Sequence, residues 1–119
     1  MIKVKDFHHV AVVVRDLEKS AWFYGEVLGL PNIERPSFAF PGRWYQVGPA
    51  RQLHLMVLEE EIPKTMRHMA LEVEDLREAQ EDLKRNGIEV IEGPGKRLDG
   101  SDYLFCLDPD GNRVEITRH

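Results

Sequence analysis

Four side chains of the chain have the types and settings for chemistry: His9, His54, His68 and Glu115. Each falls inside a short run of mostly apolar residues, where a polar group is costly unless something pairs with it. Neutral imidazole and carboxylate suit Fe, Mn, Co, Ni or Zn, and two histidines with one carboxylate leave positions open for a substrate. A single divalent metal ion held by these four residues is one reading of the set. Taken singly, each also has a plain alternative: a strand histidine hydrogen-bonded in a core or at an edge, and a Glu115 paired with Arg113 on its own strand face. His8 and the terminal His119 are assigned to the plain reading. Cys106 is the only cysteine and has no internal partner for a disulfide; its place in Tyr-Leu-Phe-Cys-Leu predicts a buried structural thiol.

The elements that must carry these residues can be read in order. Residues 7–14 are apolar on both faces, which predicts a strand covered on both sides. Asp16 then caps a helix over 17–28, with Leu17, Ala21, Tyr24 and Leu28 at helical spacing and Gly29 ending it. Residues 38–40 and 43–47 flank Pro41-Gly42 as a hairpin, and 52–58 form the strand that holds His54. Residues 59–65, charged and carrying Pro63, read as a connector. The pattern then restarts with a strand at 68–73, the cap Asp75 with Glu78 behind it, and a helix striped by Leu76, Ala79 and Leu83 up to Asn86-Gly87. Strands follow at 88–91, 103–107 and 112–117, with Gly93-Pro94-Gly95 as a loop and Asp108-Pro109-Asp110-Gly111 as a tight turn.

His9 and His68, Asp16 and Asp75, and Leu17 and Leu76 are each 59 residues apart. One plan is thus used twice, in modules 1–60 and 65–119 of a single domain: strand, helix, three strands. The expectation is an α+β fold with both helices on one side of mostly antiparallel strands, whose other side is free to curl around something. Because residues two apart share a strand face, His9 lies with Ala11 and His68 with Ala70, away from the helices and beside a small neighbour. On that same logic Trp44, Tyr45, Met56 and Tyr103 either line the open side or pack.

Composition narrows the classes. At 119 residues, with 42% hydrophobic and 31% charged residues, the chain is sized for one globular core. No apolar run approaches the roughly 20 residues of a membrane span, and no secretory signal opens the chain, so a cytoplasmic protein without a membrane partner is expected. A net charge of -5 without a cluster of Lys and Arg gives no footprint for nucleic acid.

His9-Val10-Ala11, Arg15-Asp16-Leu17, Trp22-Phe23-Tyr24, Val27-Leu28-Gly29-Leu30, the run from His68 to Leu76 and Asp108-Pro109-Asp110-Gly111-Asn112-Arg113-Val114-Glu115 occur in order over nearly the whole chain. In this the sequence resembles the vicinal oxygen chelate superfamily, the glyoxalase, bleomycin-resistance and dioxygenase group. The resemblance implies paired βαβββ modules forming a cupped mixed sheet with the helices outside. It also implies one divalent metal held by His9, His68 and Glu115, with His54 at the fourth-strand position as ligand or base. Of the chemistries in that group, ring-cleaving dioxygenases carry a tyrosine where this chain has Phe105, and fosfomycin transferases a threonine where it has Ala11, so both are disfavoured. Lactoylglutathione lyases carry Glu at the position of His54. The expectation is a metal-dependent lyase or isomerase of a small oxygen-bearing substrate, with His54 and Glu115 as its catalytic residues. The alternative is a metal-free binder of the bleomycin-resistance type. A homodimer is expected, in which His9 and His54 of one chain meet His68 and Glu115 of the other.

Overall fold

The computed structural model describes residues 1–119 and divides into two units, Met1–Glu60 and Glu61–His119. In the first unit β1 (His9–Val14) leads to α1 (Leu17–Ala21), which continues as a π-helical stretch over Trp22–Val27. Asp16 caps this helix by accepting a hydrogen bond from the Lys19 amide at 3.1 Å, worth about 1 kcal/mol. The uniform helix expected over 17–28 is corrected at its second half. There the Leu28 amide reaches back five residues to the Phe23 carbonyl, and this wider turn keeps the neighbours Phe23 and Tyr24 both buried. Gly29, at φ +71°, ends the element in a conformation that a side chain would strain.

The strands that follow are β2 (Asn32–Ile33), β3 (Gly42–Val47) and β4 (Arg51–Val57), in the sheet order β1-β4-β3-β2. β1 joins β4 in parallel and the other pairs are antiparallel. The expected hairpin about Pro41-Gly42 does not form. β3 pairs instead with Asn32–Ile33, and residues 34–41 are a loop that packs its own aromatic rings. β1 is not covered on both sides either: Val14 is buried, but His9 and Ala11 are exposed on the face away from α1. The core of this unit is Val14, Phe23, Tyr24, Tyr45, Leu53 and Leu55, each contributing about 1.5–3 kcal/mol by burial.

The second unit repeats the plan with β5 (Met69–Glu72), α2 (Leu76–Arg85), β6 (Val90–Lys96), β7 (Asp102–Leu107) and β8 (Arg113–Arg118), in the order β5-β8-β7-β6. β5 and β8 are parallel, and the other pairs antiparallel. Asp75 caps α2 through the Glu78 amide at 3.1 Å, and Leu76 and Leu83 turn inward toward Leu104, Cys106, Val114 and Ile116 in the core. Gly93-Pro94-Gly95, expected as a loop, lies within β6. The strand accommodates it with shifts in register against β7 on either side, because a proline cannot supply a ladder hydrogen bond. The Asp108 turn closes as read, with the Gly111 amide on the Asp108 carbonyl at 3.0 Å. The whole is an α+β fold of two four-stranded mixed sheets with one helical element each.

Candidate metal centre

Register places the chemistry-bearing residues in matching rows. On the face of the first sheet away from α1, Ala11 of β1 stands opposite His54 of β4, which stands opposite Trp44 of β3. In the second sheet Ala70, Glu115 and Phe105 form the corresponding row on β5, β8 and β7. Each row begins beside a histidine, His9 in one and His68 in the other, two residues before the alanine. The alternation of β4 and β8 explains this: Leu53 and Leu55, or Val114 and Ile116, take the helix-facing side, which leaves His54 and Glu115 to the opposite face.

In the first unit the imidazoles are stacked. The His54 ring lies between Trp44, at 3.9 Å and 4° from parallel, and His9, at 4.1 Å and 19°. This leaves His54 only 8% exposed. Its Nε2 stands 2.8 Å from the Gln52 Oε1, an oxygen that only accepts, so Nε2 carries the hydrogen and Nδ1 keeps a lone pair. Burial first, then the charges of His9, His8 and Arg35, pull its pKa from 6.5 down to about 4, so the ring is neutral at physiological pH. His9 shares a hydrogen between its Nδ1 and the Nδ1 of His8, 2.9 Å away, which brings His8 into contact with the set after all.

In the second unit the pair is an imidazole and a carboxylate. His68 Nδ1 is 2.7 Å from the Met66 carbonyl and must donate to it. A neutral His68 therefore aims an Nε2 lone pair at Glu115 Oε1, 3.0 Å away. Two acceptors at that distance need a shared positive centre: a proton on Nε2, or a cation bound by both. Two donors about 2.0–2.2 Å from one metal ion and a right angle apart stand about 3.0 Å from each other, so the pair fits a divalent ion. The backbone anchor on the far ring nitrogen is likewise what fixes a metal-binding tautomer. Glu115 is 6% exposed, and its Oε1 is also 3.0 Å from Arg97 Nη2; the expected pairing with Arg113 is replaced, Arg113 turning to Glu92 at 3.2 Å.

Within either unit no three His, Cys, Asp or Glu side chains gather into a ligand set; the donors come as pairs, His9 with His54 and His68 with Glu115. Of the other residues expected at the site, Tyr45 is core beneath the helix, Met56 is part-buried on β4, and Tyr103 carries the Arg97 guanidinium over its ring at 4.1 Å. Arg97, Tyr103 and Phe105 line a cavity of about 590 Å³ beside the His68–Glu115 pair. Arg97 was not legible as a site residue, because it follows β6 with no motif and its partner is eighteen positions away. His119 meets Thr117, and Cys106 is fully buried with its thiol pushed up to about 12 by burial, as befits a structural cysteine.

With these geometries in hand, the chain can be set beside known proteins. The family model described as Glyoxalase/Bleomycin resistance protein/Dioxygenase superfamily matches residues 6–116. A lactoylglutathione lyase of Neisseria meningitidis serogroup A is 33% identical, over 91% of this chain and 86% of the relative. Glyoxylase I 4 of Arabidopsis thaliana is 30% identical, over 97% and 71%. Among solved structures, a glyoxalase family protein from Bacillus anthracis superposes with a TM-score of 0.87 at 28% identity, covering 100% of this chain and 98% of that one.

Proposed function

The chain belongs to the glyoxalase/bleomycin resistance protein/dioxygenase superfamily, and we propose that within it the protein is a divalent-metal-dependent lyase or isomerase of a small oxygen-bearing substrate. The observation that carries this reading is the 3.0 Å approach of His68 Nε2 to Glu115 Oε1, from a ring whose other nitrogen is anchored on a backbone carbonyl. His9, His54, His68 and Glu115 would hold the metal. When bound, it would supply a Lewis acid for adjacent substrate oxygens and stabilise negative charge beside a carbonyl. The similarity to lactoylglutathione lyases supports the same reaction class.

The two halves take different parts. His54, wedged between Trp44 and His9 and neutral down to about pH 4, presents a fixed lone pair and is assigned to holding rather than to proton transfer. Glu115 is assigned to taking and returning the proton at its carboxylate, because it can do so without disturbing a ring stack. Arg97 pairs with it at 3.0 Å, and Phe105 and Tyr103 line the cavity alongside. Since each unit supplies two donors, a three- or four-ligand shell draws on both pairs, and we assign them to opposite chains of a homodimer. The exposed Phe7, Ile2 and Val4 of the N-terminal arm are surface that a second copy would cover. A cytoplasmic setting goes with this reading; no helix is long and apolar enough to cross a membrane.

Metal content of the untagged protein by elemental analysis tests the reading: about one divalent ion per site is expected, and metal-free protein would sink it. Mixing His9→Ala with Glu115→Ala subunits tests the shared site, with recovery of one intact site per heterodimer expected. The cavity and the hold of Arg97 on Glu115 also favour a second reading, a metal-free binder. Its mark is ligand-induced thermal stabilisation indifferent to chelators.

A further inference from the structure

The loop between β2 and β3 holds a cation that the chain does not neutralise. The Arg35 guanidinium lies over the rings of Phe38, at 4.9 Å from the centroid, and Phe40, at 5.1 Å. Its Nη2 donates to the Phe40 carbonyl at 2.8 Å, and its Nε is buried with no acceptor. No carboxylate pairs with it, unlike Arg51, Arg77, Arg85, Arg97, Arg113 and Arg118. Nη1 also has no partner in the chain and, unlike Nε, is not buried. A half-buried cation without a counter-charge is unfavourable by itself, yet the fold makes room for it. A Cβ on Gly42 would collide first with the Leu55 carbonyl oxygen and then meet Arg35 Nη2 at 2.9 Å, so the glycine that the approach of β4 requires also leaves the guanidinium room against β3.

The position is continuous with the first half-site. Phe38 is 47% exposed and touches both Arg35 and, at 6.0 Å between ring centroids, Trp44. Trp44 in turn covers His54.

We propose that Arg35 is the receptor for a carboxylate on the substrate, bound through the Nη edge of its guanidinium while Phe38 and Trp44 contact the apolar part of the same small molecule. One uncompensated positive charge calls for a monoanion, and a planar guanidinium edge matches a carboxylate in two parallel hydrogen bonds. The inference rests on the reading above only in taking the bound molecule to be the substrate of that site.

The test is calorimetric titration of the full-length protein with sodium benzoate, benzamide and phenyl phosphate, with and without EDTA, alongside Arg35→Met and Arg35→Lys. Benzoate is expected to bind equally with and without EDTA, and benzamide about tenfold more weakly, the loss of a charge-assisted pair. Arg35→Met should weaken benzoate about tenfold with metal content unchanged, and Arg35→Lys should lose less. Benzamide binding as well as benzoate, tighter binding of phenyl phosphate, loss of benzoate binding in EDTA, or an Arg35→Met protein that binds benzoate normally would each overturn the proposal. The benzoate and benzamide comparison needs no variant, so it stands even if Arg35→Met does not fold. Wild-type protein that is metal-free as purified, before any EDTA, and still discriminates benzoate from benzamide would sink the metal reading and leave this one intact.

Discussion

The two halves of the chain use one scaffold for opposite electrostatics. Each has an alanine, a polar residue and an aromatic ring in register across three strands: Ala11, His54 and Trp44 in the first unit, Ala70, Glu115 and Phe105 in the second. In the first, aromatic faces close on a neutral imidazole, and the polar residue is held by stacking. In the second, the aromatic ring meets His68 edge-on at 4.9 Å, and the polar residue is held at 3.0 Å by both the His68 imidazole and the Arg97 guanidinium. The difference teaches that the repeat conserves positions rather than interactions: the same row can store a lone pair or a charge, depending on what stands in its middle.

The largest expected effect separates the halves by metal content. Glu115→Gln should lower metal affinity about a hundredfold, whereas His54→Gln, which removes a neutral donor, should cost about tenfold. Equal losses by elemental analysis would erase the distinction. Stability should show the reverse order. His54→Ala opens a gap between two stacked rings and is expected to cost about 2–4 kcal/mol in urea unfolding, against about 1 kcal/mol or less for the more exposed His68→Ala. A third measurement follows protons. Folded His54 has its pKa near 4 against 6.5 when unfolded, so between those values the unfolded chain binds more protons and stability falls as pH drops from about 6.5 to about 4. Urea titrations across that window should show the slope, and His54→Gln should flatten it. The smallest effect concerns the core behind the second row: with the Cys106 thiol pushed up to about 12, a thiol reagent at pH 8 should label it only after unfolding.

Much of the architecture was legible because it depends on short-range pattern. The 59-residue repeat, the two capping aspartates and the alternation around His9, His54, His68 and Glu115 place the helices, most strands and the faces of the site residues. What escaped depends on long-range partners. Residues 38–40 have the composition of a strand, yet their rings pack on Arg35 and Trp44, and the shorter Asn32–Ile33 takes the place beside β3. Gly93-Pro94-Gly95 looks like punctuation and is part of β6, because pairing with β7 overrides the local preference. Arg97 and Arg35 lie in loops with no periodicity to mark them. Their importance comes from what they face, one a buried carboxylate and the other nothing of opposite charge.

The parallel pairing of the first strand with the last in each sheet also has a kinetic side. His9 and His54 approach one another only when β1 finds β4, and His68 meets Glu115 only when β5 finds β8, across almost the full length of each unit. Such non-local contacts carry the larger loop-closure cost, the kind of pairing that goes with slower folding. Each donor pair exists only once its parallel strands are joined, so that arrival of the pair in a refolding experiment would time that pairing in each half.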